Sequence, residues 1–321
     1  MSTWQNLKSY LQDTKEVILL IHEKPDGDCL GSALGLGHHL SSEGYQPVIY
    51  HPEQIPSIYD FLPGQEMITL YQEKDLPVGI PIITIDCADL GRILYNLPQD
   101  VPIINIDHHR SNNSFGVFNL VNAQAAATGE IIYELLVEAG QKISAETATC
   151  LYVAISADTG SFRYSNTTAQ TFKIAGELLD LGARIDYIRE NLFDRHPLSE
   201  LLTIKLALTN MQFSLDGKLA WSILTNEDLV RNNLLDVDTE SVISLLRSVE
   251  GVETAIVFKE LEPSQVKISF RSKNYLDVNQ LANEFGGGGH ARAAGCSLEG
   301  KIKEISGRVL ERAESLLLEL L

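Results

Sequence analysis

Basic residues are scarce in this chain. Across 321 residues, 25 Lys and Arg stand against 43 Asp and Glu, a formal net charge of −18. That balance excludes an unspecific grip on long nucleic acid or on an anionic bilayer, because both need surplus cations. Cysteine is scarce too: Cys29, Cys87, Cys150 and Cys296 lie far apart with no CxxC pair, which predicts buried thiols and no disulfide framework. Cys29 and Cys87 each follow an aspartate, yet a small buried packer is the simpler reading than a thiolate ligand. No apolar run approaches the roughly 18 residues of a membrane span, and residues 1–16 are too polar for a signal peptide. The expected compartment is the cytoplasm, with no membrane partner. With 11 Pro, 44% hydrophobic and 21% charged residues, the composition excludes disorder. The length suggests two domains of about 150 residues each.

From residue 16 to about 185, short Val- and Ile-rich runs alternate with stretches of helical period, the pattern of an α/β domain with a mainly parallel sheet. Strands are expected at 16–22, 47–51, 80–86 and 101–107. The first, third and fourth are apolar on both faces and end abruptly in His or Asp. Helices are expected at 29–40, 128–139, 145–157 and 168–181, with Thr128 and Ser144 as caps. The polar, helix-prone stretch after 182 marks the connection, so the division is a first domain at 1–185, a helical linker at 186–200 and a smaller α/β domain at 201–321. In the latter, a helix at 198–210 precedes strands at 211–215 and 219–224 joined by Asp216-Gly217, a strong hairpin signal. A helix at 239–249, strands at 254–260 and 266–271, a helix at 278–283 and a final helix from 301 complete it. The Leu-rich ending carries glutamates and reads as a docked helix, not an anchor.

The chemistry sits where these elements end. His22, Asp26 and Asp28 lie in HEKPDGD after the first strand, and Asp86 and Asp89 in DCAD after the third. Asp107, His108 and His109 lie in DHHR after the fourth strand, and Asp158 in ADTG ends the helix at 145–157. Ligands of open α/β sheets bind beyond the carboxyl ends of the strands, so these loops converge on one crevice. Taken singly, each has a bland reading: Pro25-Asp26-Gly27 is turn chemistry, and Asp28 can cap a helix. Taken together, half-buried carboxylates without partners cost several kcal/mol unless cations neutralise them. An aspartate at a helix C-terminus also opposes the helix dipole, which a metal would offset. Carboxylates with imidazoles and no thiolate favour Mg²⁺, Mn²⁺ or Co²⁺ over a structural zinc site. Six ligands, one of them bridging, suit two ions about 3.5–4 Å apart, the clamp used in phosphoryl hydrolysis.

Residues 285–295, FGGGGHARAAG, predict a backbone N–H cradle for a phosphate or carboxylate, with His290 and Arg292 as added donors. Arg271 and Lys273, ending a strand, are candidates for the same anion. His38 and His39 read as packing within a helix. Arg163 and Asn166 stay outside the site, because capping of the next helix by Asn166 or Thr167 explains their segment.

HEKPDGD, DCAD, DHH and ADTG in this order, followed by GGGGHARAAG, resemble the DHH phosphoesterase superfamily with its C-terminal DHH-associated domain. The resemblance spans nearly the whole chain and is nearest to the branch of bifunctional oligoribonucleases and 3'-phosphoadenosine 5'-phosphate (pAp) phosphatases. It implies one metal ion held by His22, Asp26 and Asp86 and a second by Asp28, Asp86, His108 and Asp158, with Asp86 bridging and Mn²⁺ favoured. It further implies that His109 contacts the phosphoryl group and that Asp107 orients a ligand histidine. Arg271, His290 and Arg292 would hold substrate and Gly288 and Gly289 would form the backbone cradle; the family varies at the position of Arg292. The implied substrates are RNAs of a few nucleotides and pAp, cut by the first domain and gripped across a cleft by the second, and a homodimer is the implied assembly. A soluble phosphodiesterase of cyclic di-AMP or pApA is the alternative, and a catalytically inactive nucleotide-binding module the second alternative, although no ligand is missing. Residues 262–321 carry eight basic and eight acidic residues, so the whole negative balance lies in residues 1–261. Attraction for a phosphate is then local, and a long polyanion is repelled.

Overall fold

Strands that are apolar on both faces must be covered on both faces, and the first half of the chain is built around that requirement. The computed structural model describes residues 2–11, 14–99 and 101–320 and divides into two units, Met1–Arg195 and His196–Leu321. The first unit runs α1 (Thr3–Leu11), β1 (Glu16–Leu20), α2 (Gly27–Ser42), β2 (Gln46–His51), β3 (Ile68–Leu70), β4 (Ile82–Ile85), β5 (Ile103–Asp107) and β6 (Phe118–Val121). Helices α3 (Thr128–Glu138), α4 (Ala145–Asp158), α5 (Ala169–Asp180) and α6 (Ile185–Leu192) follow. All six strands are parallel, in the order β3-β2-β1-β4-β5-β6. The order reverses between β1 and β4, the point at which a doubly wound sheet opens a crevice at its carboxyl edge.

One face of this sheet buries Leu19, Ile83, Ile85, Ile104 and Ile106 beneath Leu30 and Leu34 of α2 and Leu151 and Ile155 of α4. The other buries Ile18, Leu20 and Ile82 against Tyr95 and Val101. Helices α2 and α4 touch backbone to backbone: a Cβ on Gly31 would lie 2.4 Å from the Cys150 carbonyl oxygen. The crossing is antiparallel, since a Cβ on Gly27 would meet Ala157 at 2.5 Å. The start of α2, with Asp28, therefore meets the end of α4, with Asp158. Helix α1 and the edge strands β3 and β6 were not expected; α1 buries Trp4, Leu7 and Leu11 on one face. Trp4 stacks edge-on against buried His39 at 5.0 Å, a packing role for that histidine.

The second unit contains α7 (Leu198–Thr209), β7 (Gln212–Ser214), β8 (Leu219–Leu224), α8 (Asn226–Arg231), α9 (Glu240–Ser248), β9 (Thr254–Glu262) and β10 (Gln265–Ser272). It ends with α10 (Val278–Glu284), β11 (Gly288–His290), β12 (Ala293–Glu299) and α11 (Ile302–Leu318). Its sheet has the order β11-β12-β10-β9-β8-β7, parallel only between β8 and β9. Alternation along β9 sends Ile256 and Phe258 to the core under α10 and α11, and Ala255 and Val257 to the core under α7 and α9. The glycine run is not an open loop throughout. Gly288–His290 form an edge strand paired with 293–295, and Cβ atoms on Gly287 and Gly289 would lie 2.2 and 2.5 Å from carbonyl oxygens of β12. Close approach to β12 thus accounts for these two glycines. Among the described residues, no helix is long and apolar enough to cross a membrane.

Candidate metal centre

Loops leaving β1, β4 and β5 and the junction of α2, α3 and α4 meet at the crevice. Asp86 follows β4 directly and holds φ at 58°, a left-handed conformation that costs a non-glycine residue of order 1 kcal/mol and recurs at functional sites. Its Oδ1 accepts the Thr128 hydroxyl at 2.9 Å. Thr128 therefore serves the cluster and is not the cap of α3 that the sequence suggests; Ser144 does cap α4, accepting from the Thr147 N–H at 3.2 Å. Asp28, fully buried, accepts the backbone N–H groups of Thr128 and Gly129 at 2.7 and 3.0 Å, so the α3 N-terminus holds it in place. The cap of α2 is Asp26, whose Oδ1 accepts from the Cys29 N–H at 3.0 Å.

His108 stands at the middle of the cluster. Its Nε2 lies 3.3 Å from Asp158 Oδ2, 3.6 Å from Asp86 Oδ1 and 3.7 Å from Asp28 Oδ2. His22 Nε2 lies 3.6 Å from Asp86 Oδ2, and His22 Nδ1 is buried with no partner. Most of these separations exceed hydrogen-bond reach, yet they suit groups sharing an ion with ligand bonds of about 2.0–2.2 Å. Three sets of donor atoms lie within 4.8 Å of one another: Asp28, His108 and Asp158; Asp86, His108 and His109; His22, Cys29 and Asp86. Asp26 belongs to none of them and sits exposed at the rim. Cys29 packs, as its sequence position suggests. Burial, then the charges of Asp86 and Asp26, pushes its thiol well up, and its sulfur faces the Ile85 carbonyl at 3.7 Å, so it stays protonated.

Without a cation, burial and mutual repulsion oppose charging these carboxylates together. Burial, then Asp86, Asp158 and Asp26, pushes Asp28 well above the carboxylate range. Burial also raises Asp158 to about 6, with Asp86 and Asp26 adding and His108 opposing. Asp86 goes the other way: burial works upward, but His22, His109, His108 and the Thr128 hydroxyl prevail and hold it low. A buried set of oxygen and imidazole donors with an orphaned ring nitrogen and mutually repelling carboxylates fits divalent cations.

Asp107 does not contact His108. Its Oδ1 lies 2.7 Å from His109 Nδ1, while His108 Nδ1 faces the Ala125 carbonyl at 3.3 Å. The hydrogen bond to Asp107, aided by Asp86, raises the His109 pKa and favours its protonated form. Sequence reasoning missed Asn112, which donates to Asp107 Oδ2 and to Asn105 Oδ1 and fixes the carboxylate from behind; nothing in its local pattern signals this. Asn166 is not a cap, a role that Thr168 fills on α5. Instead it donates to the Ala126 and Asp158 carbonyls at 3.1 and 3.0 Å, tying the ends of the cluster together. Asp89 accepts the Gly91 N–H at 2.7 Å and serves a turn.

In the second unit, Arg271 is opposite Ala293, which is opposite His290. Residues on one rung point to one face, so Arg271 and His290 flank a small side chain, two strand spacings of about 4.8 Å apart. Arg271 also pairs with Glu240 at 2.5 Å, Arg292 donates to the Leu276 carbonyl at 2.8 Å, and His290 is exposed. Lys273 donates to the Val249 carbonyl.

Residues 16–155 match the DHH family, N-terminal domain, and residues 229–317 the DHHA1 domain. Over 313 residues the chain is 32% identical to the bifunctional oligoribonuclease and PAP phosphatase NrnA of Thermus thermophilus, covering 96% of this chain and 93% of that protein. The chain belongs to the DHH family. A second NrnA relative, from Bacillus subtilis, is 30% identical over 298 residues, 90% of each chain. Among solved structures, an exopolyphosphatase-related protein from Bacteroides fragilis superposes with a TM-score of 0.84 at 26% identity, covering 97% of this chain and 94% of that one. In DHH terms, the triplet Asp107, His108 and His109 divides its labour: the second residue faces the acidic cluster, and the first holds the third.

Proposed function

We propose that the chain is a two-metal phosphohydrolase that degrades short oligoribonucleotides to mononucleotides and dephosphorylates pAp to AMP. The observation that carries the reading is His108 within 3.3–3.7 Å of three carboxylates, two of them pushed above their usual range. The names of two relatives at 30–32% identity point to the same activity. His22, Asp26, Asp28, Asp86, His108 and Asp158 would hold two divalent ions, with Mn²⁺ favoured. Such ions polarise a phosphoryl oxygen and lower the pKa of bound water. The chain's own residues do the rest. Protonated His109, braced by Asp107, donates to a phosphoryl oxygen as charge builds there. Arg271 and His290, on one face of the second sheet, with Arg292, Gly288 and Gly289, bind a phosphate. The net charge of −18 repels longer chains, which favours short substrates. Four free buried thiols suit a cytoplasmic place of action.

The test is a comparison of kcat/KM for pAp, di- to pentanucleotides, pApA, cyclic di-AMP and pyrophosphate with Mn²⁺ present. The proposal expects pAp and the shortest RNAs to lead. A lead for cyclic di-AMP or pApA would reassign the substrate, and release of no phosphate from any of them would overturn the hydrolase.

A further inference from the structure

Two openings flank the acidic cluster, both within the first unit. One, of about 390 Å³, mixes polar and apolar groups, with His108, His109, Arg110, Gln124 and Asn166 beside several alanines in its wall. The other, of about 250 Å³, is bounded by Asp26 and Asp158 on the cluster side and by Ile58, Tyr59, Leu192 and Phe193 on the far side. Ile58 and Phe193 are 47% and 39% exposed, large apolar side chains left open to solvent beside a charged centre. That is a poor arrangement for stability and a suitable one for an apolar ligand.

The two apolar walls come from distant stretches, residues 57–59 and the end of α6. They are clamped together nearby, where Phe61 meets Tyr187 edge-to-face at 5.6 Å and the Arg184 guanidinium covers the Tyr187 ring at 4.5 Å. The floor is kept open by Gly27, at which a Cβ would meet Ala157 at 2.5 Å and the Tyr59 ring at 3.3 Å. The pocket is therefore shaped before any ligand arrives. At about 250 Å³ it falls below the roughly 300–1,000 Å³ that takes a drug-sized molecule, which suits one flat aromatic group.

We infer that this pocket is the nucleobase site: the base of the nucleotide whose phosphate reaches the cluster lies against Tyr59 and Phe193, with Ile58 and Leu192 closing its edges. The inference rests on the hydrolase reading for its substrate class and deepens it by assigning what selects a nucleotide over another phosphoester. Stacking on an aromatic ring tolerates any base, because every base has a π-face, and of the side chains on the far wall only Tyr59 carries a polar atom that can read a base edge. Sequence-tolerant recognition is what degradation of mixed short RNAs requires. The opening beside His109 and Arg110 is then left for the charged sugar-phosphate continuation.

The test compares wild type, Phe193→Ala and the conservative Phe193→Trp in two readouts with Mn²⁺ present. In the first, the ratio of kcat/KM for pAp to that for ribose 3',5'-bisphosphate, which lacks the base, falls about tenfold or more in Phe193→Ala, mainly through KM, and is restored in Phe193→Trp. In the second, equilibrium binding of AMP weakens by a similar factor in Phe193→Ala while binding of ribose 5-phosphate does not, a result readable even without turnover. An unchanged ratio together with unchanged AMP affinity would overturn the nucleobase site, as would equal losses on the base-free ligands. Wild-type protein that binds AMP through Phe193 but hydrolyses neither pAp nor short RNA would instead sink the hydrolase reading and leave the pocket standing.

Discussion

The two units treat buried charge in opposite ways. In the second, Glu253 is 2% exposed and its carboxylate accepts the backbone N–H groups of Asn274, Tyr275 and Leu276 and the Asn274 side chain. Burial pushes this group up, but those donors prevail and hold its pKa low. Lys259, also buried, donates to the Leu235 and Val237 carbonyls at 2.6 Å each. In the first unit, Asp28 and Asp158 rise, through burial first and then through the carboxylates they face. A buried charge with enough partners is part of the fold, whereas buried carboxylates facing one another are a place kept for cations.

Removing one carboxylate from each unit should break this comparison most sharply. Asp86→Ala is expected to lower kcat/KM for pAp by about 1,000-fold or more, a barrier increase of roughly 4 kcal/mol, with the fold left intact and Mn²⁺ affinity lost. Wild-type turnover in that variant would contradict the cluster's role. Glu253→Ala should do the reverse: three backbone donors lose their acceptor, destabilising the second unit by about 3 kcal/mol, with Mn²⁺ affinity unaltered. Denaturant unfolding paired with Mn²⁺ titration checks both halves. A smaller effect is expected at the brace, where Asp107→Asn should cost about 10–100-fold in kcat/KM. Because Asp107 raises the His109 pKa, the alkaline limb of the rate profile should also move to lower pH in that variant; an unmoved limb would remove His109 as the proton donor.

The comparison also has a pH signature. Asp28 and Asp158 bind protons more tightly folded than unfolded, so in metal-free protein their contribution is fully favourable below about 3.8 and is lost as pH rises through their folded values, about 6 for Asp158. Glu253 binds its proton less tightly folded, so its contribution is present above 4.5 and lost as pH falls through its depressed folded value. Raising pH from about 4.5 to 6 should therefore loosen the segments that hold Asp28 and Asp158 and leave those that hold Glu253 unchanged. Amide exchange corrected for intrinsic rates would show it, and parallel behaviour of the two units would contradict it.

Much of this was legible from residue order. β1, β4 and β5 are apolar on both faces and lead into His22, Asp86 and Asp107, which marks both the sheet centre and the site. Edge strands such as β3 and β11 are three residues long and lack a period to read. The glycine run has one composition for a loop or a sheet edge, and only the approach of β12 decides between them. Asp107 precedes two histidines, and the direction of the chain after β5 determines that it meets the second. The Thr128 hydroxyl and Asn112 reach the cluster through contacts 42 and 5 residues away in sequence, which no local pattern announces.

The most direct test of the cluster as a cation site is amide exchange across the whole chain with and without saturating Mn²⁺. At 100 times the dissociation constant, an ion bound only by the folded site stabilises it by about 2.7 kcal/mol, slowing exchange through opening of that site roughly 100-fold. The account predicts that slowing around residues 22–31, 86–88, 107–112 and 126–131, with the amides of 274–276 that hold Glu253 unaffected. Equal protection in both units, or none in the first, would contradict it.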